Sequence, residues 1–293
     1  MAGRGNHSMA ALVHWLMPPH DMPASRPLLF LAGALLGLLA IQISGPAEAE
    51  PEPSTEGVVA LGHLDVDATV IGTYPPPDGI EAYRTEGFGA WLQALELEAP
   101  SVPVRTHDGR EVRGDFHVVK LPLVSGNLQQ CADTAIRLRA EWMREQGRED
   151  DILFHATSGD PMPWARYQGG EKAYEQGNRL SWRDAPPQTW DQYLSAVFMW
   201  AGTRSLAYDT VADDVPSAGD ILVLPGSPGH AVILLAVAHG AGGTYVLAGQ
   251  GYMPAQSFHI VRGPHRGWWK WDDGVRVGPW EFPGDSLRAW DED

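Results

Sequence analysis

The chain has 293 residues and a formal net charge of −16, with 37 acidic side chains against 21 Lys and Arg. That length buries a substantial core in one large domain or two small ones. The basic residues are scattered and outnumbered, which argues against a nucleic-acid partner and against an anionic membrane surface as a partner.

The apolar run from Pro27 to Ile43 follows Arg26 and precedes Ala47-Glu48-Ala49, a small-x-small pattern of the kind a signal peptidase reads. Residues 1–49 are therefore expected to be a secretory signal, and the protein to be exported to the periplasm or cell envelope. An uncleaved single-span anchor is the other reading of the run, and it confines membrane contact to this segment. Residues 50–57, rich in Pro, Glu, Ser and Thr, read as a linker, and 58–290 as a single domain.

Within that domain Val58 to Ile71 suggests an early strand. Tyr74 to Gly79 is a turn. Phe88, Trp91, Leu92 and Leu95 space a short amphipathic helix over 88–98. Asp108-Gly109 marks a hairpin within 102–112, and 115–121 reads as a strand. The longest helix follows, with Asn127 as its cap, Gln130 in the capping-box position and Gly147 as its stop. Ala135, Leu138 and Trp142 share the face that carries Cys131; Arg137, Arg139, Glu141 and Arg144 read as a solvated or ion-paired face. Ile152 to His155 is a strand. Pro161 to Pro187 reads as a loop with embedded Trp164, Tyr167, Tyr174 and Trp182, and Thr189 to Trp200 as a helix. Four strands come next, over 220–224, 230–237, 244–250 and 257–261, and 231–238 is apolar on both faces. The tail from Arg266 is rich in Trp and reads as no definite element.

Cys131 is the one cysteine in the chain. In an exported protein a single thiol is either a buried small hydrophobe or a reactive group. Its place in the first turn of a helix brings it close to unpaired backbone N–H groups and the positive end of the helix dipole, which favour the thiolate. A cysteine hydrolase also needs a base and a group that orients the base. His230 opens the most apolar strand. A hairpin centred near Ala241 sets Val232 opposite Gln250 and His230 opposite Tyr252, so Gln250 shares a face with His230. His259 is the alternative orienter, and Gln129 or Gln130 can assist an oxyanion.

Cysteine on a helix, histidine on a strand and a polar residue on the next strand resembles the papain-like superfamily, particularly bacterial cell-wall hydrolases of the NlpC and CHAP kinds. Gly219-Asp220-Ile221 and Gly229-His230-Ala231-Val232 carry that resemblance. A second resemblance covers most of the chain. Leu128-Gln129-Gln130-Cys131-Ala132-Asp133, Phe154-His155 with Thr157-Ser158-Gly159, Ala201-Gly202-Thr203, Pro228-Gly229-His230-Ala231-Val232 and Gln250-Gly251-Tyr252-Met253-Pro254 with His259 look like the domain-of-unknown-function family numbered 4846. That family implies an exported or envelope-associated bacterial protein and assigns no activity.

The expected fold is α+β, a mainly antiparallel sheet packed on the Cys131 helix, with a papain-like arrangement as the finer expectation. The expected function is a cysteine-dependent amidase or peptidase with Cys131 as nucleophile, His230 as base and Gln250 as orienter, acting on peptidoglycan or other envelope peptides. The alternative is a non-catalytic envelope module that stacks glycan or peptide on an aromatic groove formed by 161–187 and the tail. No cofactor is expected. His155, His230, His239 and His259 with Asp160 or Asp220 have no short helical spacing of the kind a zinc hydrolase shows.

Overall fold

The computed structural model describes residues 68–82 and 86–291. The signal segment 1–49, the linker 50–57 and most of the early strand expected at 58–71 lie outside the described residues. No helix among the described residues is long and apolar enough to cross a membrane.

The described residues open with α1 (Val70–Thr73), β1 (Ile80–Ala82), α2 (Gly87–Gln93), β2 (Val104–Arg105), β3 (Glu111–Val112), β4 (Phe116–Val118) and α3 (Cys131–Glu145). It continues through β5 (Leu153–His155), β6 (Pro161–Pro163), α4 (Trp164–Gln168), β7 (Glu171–Gln176), β8 (Arg179–Asp184), α5 (Trp190–Trp200), α6 (Leu206–Asp209) and β9 (Thr210–Ala212). Strands β10 (Ile221–Leu224), β11 (His230–Gly240), β12 (Gly243–Gln250), β13 (His259–Val261), β14 (Trp269–Trp271), β15 (Gly274–Val277), β16 (Trp280–Pro283) and β17 (Leu287–Trp290) complete it.

The main sheet runs β4-β13-β12-β11-β10-β17-β9, with β1 also on β11 and β14 also on β12. Every strand pairing among the described residues is antiparallel, so the fold is α+β. Strand β11 lies inside this sheet, and its two faces feed two cores. Ala231, Ile233 and Leu235 join the cluster that includes Phe88, Leu92, Ile136, Leu138 and Val197 from α2, α3 and α5. Val232, Leu234 and Val237 join the cluster on the other face, with Val275, Val277 and Phe282 of the β15–β16 hairpin. Apolar side chains at consecutive positions of β11 are therefore required by the layers on both sides, each fully buried aliphatic side chain contributing about 1.5–3 kcal/mol.

Several expectations are corrected. Val70 to Thr73 is a helical turn rather than strand, capped by Thr69 Oγ1, which accepts the Gly72 N–H at 3.2 Å. Helix α2 stops at Gln93 because the next residues pair with neighbouring chain: Val70 N–H donates to Leu95 O at 2.9 Å and Lys120 N–H to Glu96 O at 2.8 Å. The segment 161–187 is not a loop. It forms β6, α4 and a regular β7–β8 hairpin that turns at Gly177, whose φ of +67° suits glycine. In β7 only Ala173 is buried, so the run shows no clear alternation for a sequence reading to detect. The Trp-rich tail is likewise built into structure. Trp268 is fully buried and donates its indole N–H to Tyr74 O and Pro75 O, while Trp290 joins the helix-side core. On α3 the ion-paired alternative holds for Arg137 and Arg144, the latter on Glu149 at 3.3 Å, while Arg137 and Arg139 are buried rather than solvated. Arg137 donates to Gln129 Oε1 at 2.6 Å and to Pro122 O, and pairs with Glu141 one turn on at 3.4 Å. Arg139 lies over the rings of Trp142 at 4.6 Å and Phe88 at 5.3 Å.

Candidate active site

Helix α3 starts at Cys131 itself. Its N-cap is Gln130, not Asn127. Gln130 N–H donates to Asp133 Oδ2 at 2.9 Å, and Thr134 Oγ1 donates to Gln130 O at 2.7 Å. Asn127 instead accepts the Ala255 N–H at 2.7 Å and ties the approach to α3 to the segment after β12. A side chain at Gly251 would collide with Thr134 Oγ1 and lie 2.8 Å from Gln130 O, so this glycine lets the helix end settle against the end of β12.

Cys131 is partly buried and lines a cleft of about 310 Å³. The opposite wall comes from Phe198 to Thr203 and the loop Gly226 to Gly229. Thr203 Oγ1 accepts the Gly226 N–H at 3.3 Å and fastens those two pieces together. Gly229 has no room for a side chain, which would strike Thr203 Oγ1 and stand 2.7 Å from Leu224 O. Burial raises the thiol pKa, the N–H of Ala231 directed at the sulfur lowers it, and the Asp133 carboxyl raises it. The net effect is a neutral thiol docked on the backbone of the residue after His230.

His230 and Gln250 are brought together. The imidazole Nε2 lies 2.7 Å from Gln250 Oε1, and Gln250 Nε2 lies 3.1 Å from His259 Nε2. His259 Nδ1 lies 2.8 Å from Ser257 O. The direction of the whole chain follows from its last link. A carbonyl can only accept, so His259 carries its proton on Nδ1 and is unprotonated at Nε2. Gln250 therefore donates to His259 and accepts from His230. His230 in turn holds its proton on Nε2, which leaves Nδ1 with a free lone pair. Burial depresses both imidazoles to a pKa of about 4, so neither carries a charge at neutral pH.

No hydrogen bond joins the Cys131 thiol to this ring among the described residues. His230 is 2% exposed and faces the hairpin side of the sheet, stacked on Trp280 at 4.6 Å and edge-on to Tyr252 at 5.1 Å. The thiol reaches the start of β11 from the helix side. The structure thus unites His230, Gln250 and His259 in one relay and sets Cys131 beside the same stretch of backbone.

The other residues considered lie elsewhere. Gln129 is fully buried on Arg137, while Gln130 lines the cleft. His155 meets Asp209, its Nδ1 at 2.7 Å from Oδ1, and His239 meets Thr244 Oγ1 at 2.8 Å. Asp160 is held well below the usual carboxylate range by Arg179, and burial raises Asp220 to about 7. Among the described residues no cluster of three or more His, Cys, Asp or Glu is placed to hold a metal ion. Trp164, Tyr167, Trp182, Trp190 and Tyr193 pack ring against ring with centroids 5.1 to 5.5 Å apart.

Two contributors were missed in the sequence. Asp133 is 5% exposed and pushed up to about 8 by burial, and its Oδ1 has no partner. Its spacing from Gln130 was a capping signal shifted three residues along the chain. Trp280, fifty positions from His230, gave no local signal.

No curated protein and no solved structure matches the chain. The family model described as domain of unknown function (4846) matches residues 72–289, a span that holds α3, the cleft and the whole His230 relay, and the chain belongs to that family.

Proposed function

We propose that the protein is a cysteine-dependent amidase or peptidase of the cell envelope, with Cys131 as nucleophile, His230 as general base and Gln250 as the group that orients His230. The observation that carries this reading is the one-way hydrogen-bond chain from Ser257 O to His230, which leaves Nδ1 as the ring's one unprotonated nitrogen. A base held in one tautomer by a polar neighbour is what a thiol nucleophile requires. The papain-like arrangement belongs to this proposal, as do export and envelope peptides as substrates.

The chemistry starts from two neutral groups. His230 Nδ1 takes the thiol proton as the sulfur attacks the substrate carbonyl carbon. The carbonyl oxygen becomes an oxyanion, to which the N–H groups at the start of α3 offer fixed donors. The imidazolium returns its proton to the leaving nitrogen as the carbon–nitrogen bond breaks. Water then attacks the thioester, gives its proton to Nδ1, and the thiol is restored. His230 does not line the cleft and lies against Trp280 on the other face of β11, so this sequence requires the ring to leave that packing and meet the sulfur when substrate fills the cleft.

A second reading, a non-catalytic peptide-binding module using the same cleft, draws on the burial of His230 beneath Trp280 and the uncharged thiol. One experiment separates the two. The alkylation rate of Cys131 by iodoacetamide is followed from pH 5 to 9 in the wild type and in His230→Ala, alongside hydrolysis of envelope peptides. The hydrolase reading expects His230→Ala to slow alkylation of Cys131 when peptide fills the cleft and to cut turnover by roughly 10²-fold or more. Alkylation unchanged by His230→Ala, with no hydrolysis of envelope peptides, leaves the binding module.

A further inference from the structure

Two of the large apolar side chains exposed to water stand on the rim of the Cys131 cleft: Met199, 59% exposed, and Met253, 56% exposed. They come from separate parts of the chain, one near the end of α5 and the other in the segment after β12, with Leu128 and Phe198 also lining the cleft. Methionine adapts its shape to what it covers, and apolar surface left in water around a concavity marks a place where something binds. Charge narrows the choice of ligand. None of the lining residues is Lys, Arg or His. The one acid among them, Asp133, is 5% exposed and has an oxygen without a partner. A carboxylate seated between the two methionines loses water and meets no cationic side chain, in a chain that already carries −16. The remaining polar lining, Asn127, Gln130 and Thr203 with the glycine-rich loop, suits the uncharged hydrogen-bonding groups of a peptide backbone.

We propose that the cleft binds an uncharged peptide segment through an apolar side chain seated between Met199 and Met253, and discriminates against segments that bear a carboxylate at that position. Under the proposed hydrolase, on which this one clause rests, the segment is the acyl donor; the binding preference itself needs no turnover.

The test uses the full chain labelled with ¹³C at its methionine methyl groups. The Met199 and Met253 signals are assigned through Met199→Leu and Met253→Leu. Titration with N-acetyl-L-leucinamide is expected to shift both signals to saturation, and to do so about tenfold or more tighter than N-acetyl-L-glutamate α-amide. The shifts are expected to persist in Cys131→Ala. Failure of both signals to move, or equal shifts with the two compounds, overturns the proposal. The two readings fail separately. A leucinamide preference together with Cys131 alkylation indifferent to His230→Ala keeps the binding preference and removes the hydrolase. Turnover without the preference does the reverse.

Discussion

Replacing Asp133 by Asn gives the sharpest test of how the helix end beside Cys131 is built. Asp133 is buried, and its carboxyl pKa is raised from 3.8 to about 8, with burial as the largest cause. The native state therefore keeps a proton that the unfolded chain releases above about pH 4. Where the native state binds more protons, the free energy of unfolding falls as pH rises. Asp133 thus subtracts stability progressively from about pH 4 to about pH 8, and its contribution is flat outside that window. At about 1.4 kcal/mol per unit, the three units between 3.8 and neutral pH correspond to about 4 kcal/mol. An Asn side chain keeps an oxygen that can accept the Gln130 N–H and has nothing to titrate. Its buried amide nitrogen meets the same lack of a partner as Oδ1 does now, which offsets part of the gain. Asp133→Asn is therefore expected to be more stable than the wild type at pH 7 by about 2–4 kcal/mol, and to show a flatter stability profile. Urea unfolding at pH 5, 6, 7 and 8 measures both quantities. Wild-type and variant profiles that run parallel across that range would refute the reasoning, as would a variant less stable than the wild type at pH 7. Asp220, raised to about 7 by burial, contributes its own slope to both proteins and cancels in the difference.

Three further outcomes follow from the same geometry. Gln250→Glu places a carboxylate between two imidazoles and removes the donor that His259 Nε2 accepts from, so His230 should titrate about one to three units above its present value of about 4, read from its ring-proton chemical shift; an unmoved titration denies the relay. Gly251→Ala drives a methyl group into Thr134 Oγ1 and Gln130 O, and should cost about 1–3 kcal/mol in denaturant unfolding. Thr134→Ala in that background should recover part of the loss, and full additivity of the two changes would show that they do not meet. The hydrogen bond that His155 donates to Asp209 raises the His155 pKa above its ordinary 6.5, so His155 adds stability below that value and loses it as pH rises through the raised one, while burial raises the Asp209 pKa and works the other way. Asp209→Asn should lower the His155 titration and remove that contribution; an NMR titration identical to the wild type would contradict it.

What could be seen in the sequence was what short-range periodicity and turn chemistry dictate. The four strands between Asp220 and Val261, the Asp108-Gly109 hairpin and the helix opened by Thr189 stand where their patterns put them. Elements whose definition depends on distant partners were less legible. The β7–β8 hairpin buries almost nothing along β7, and the cap of α3 moved because Asn127 is engaged by Ala255, over a hundred residues away. The pairing of His230 with Gln250 has a more instructive history. A hairpin centred at Ala241 puts the two on one face. The actual turn joins Gly240 to Gly243, half a residue later, and that register alone would send Gln250 to the other face. A bulge between Leu234 and Ala236 inserts one residue into β11 and restores the alignment, with Ile233 opposite Gly249. The bulge also explains why Leu235 and Ala236, adjacent in sequence, both join the helix-side core.

Which face of β11 His230 and the thiol each meet is set by different features. His230 is directed to the hairpin side by the alternation that sends Ala231 and Ile233 toward α3. The thiol meets the same backbone because α3 starts where Gly251 leaves space for it, and the cleft wall closes up because Gly229 leaves space for Thr203. In a single sequence both glycines look like ordinary turn punctuation. Their effect is steric and tertiary: each leaves out a methyl group that would push the start of α3 off the end of β12, or Thr203 off the loop that opens β11. If the hydrolase reading is right, alanine at Gly251 should harm Cys131 reactivity more than alanine at Gly249, whose added methyl would press on Phe258 and Leu235 in the core and not on the end of α3. Comparing alkylation rates of the two variants at matched stability separates displacement of the thiol from general loss of packing. Equal rates would mean that the docking of the helix end has no bearing on the sulfur.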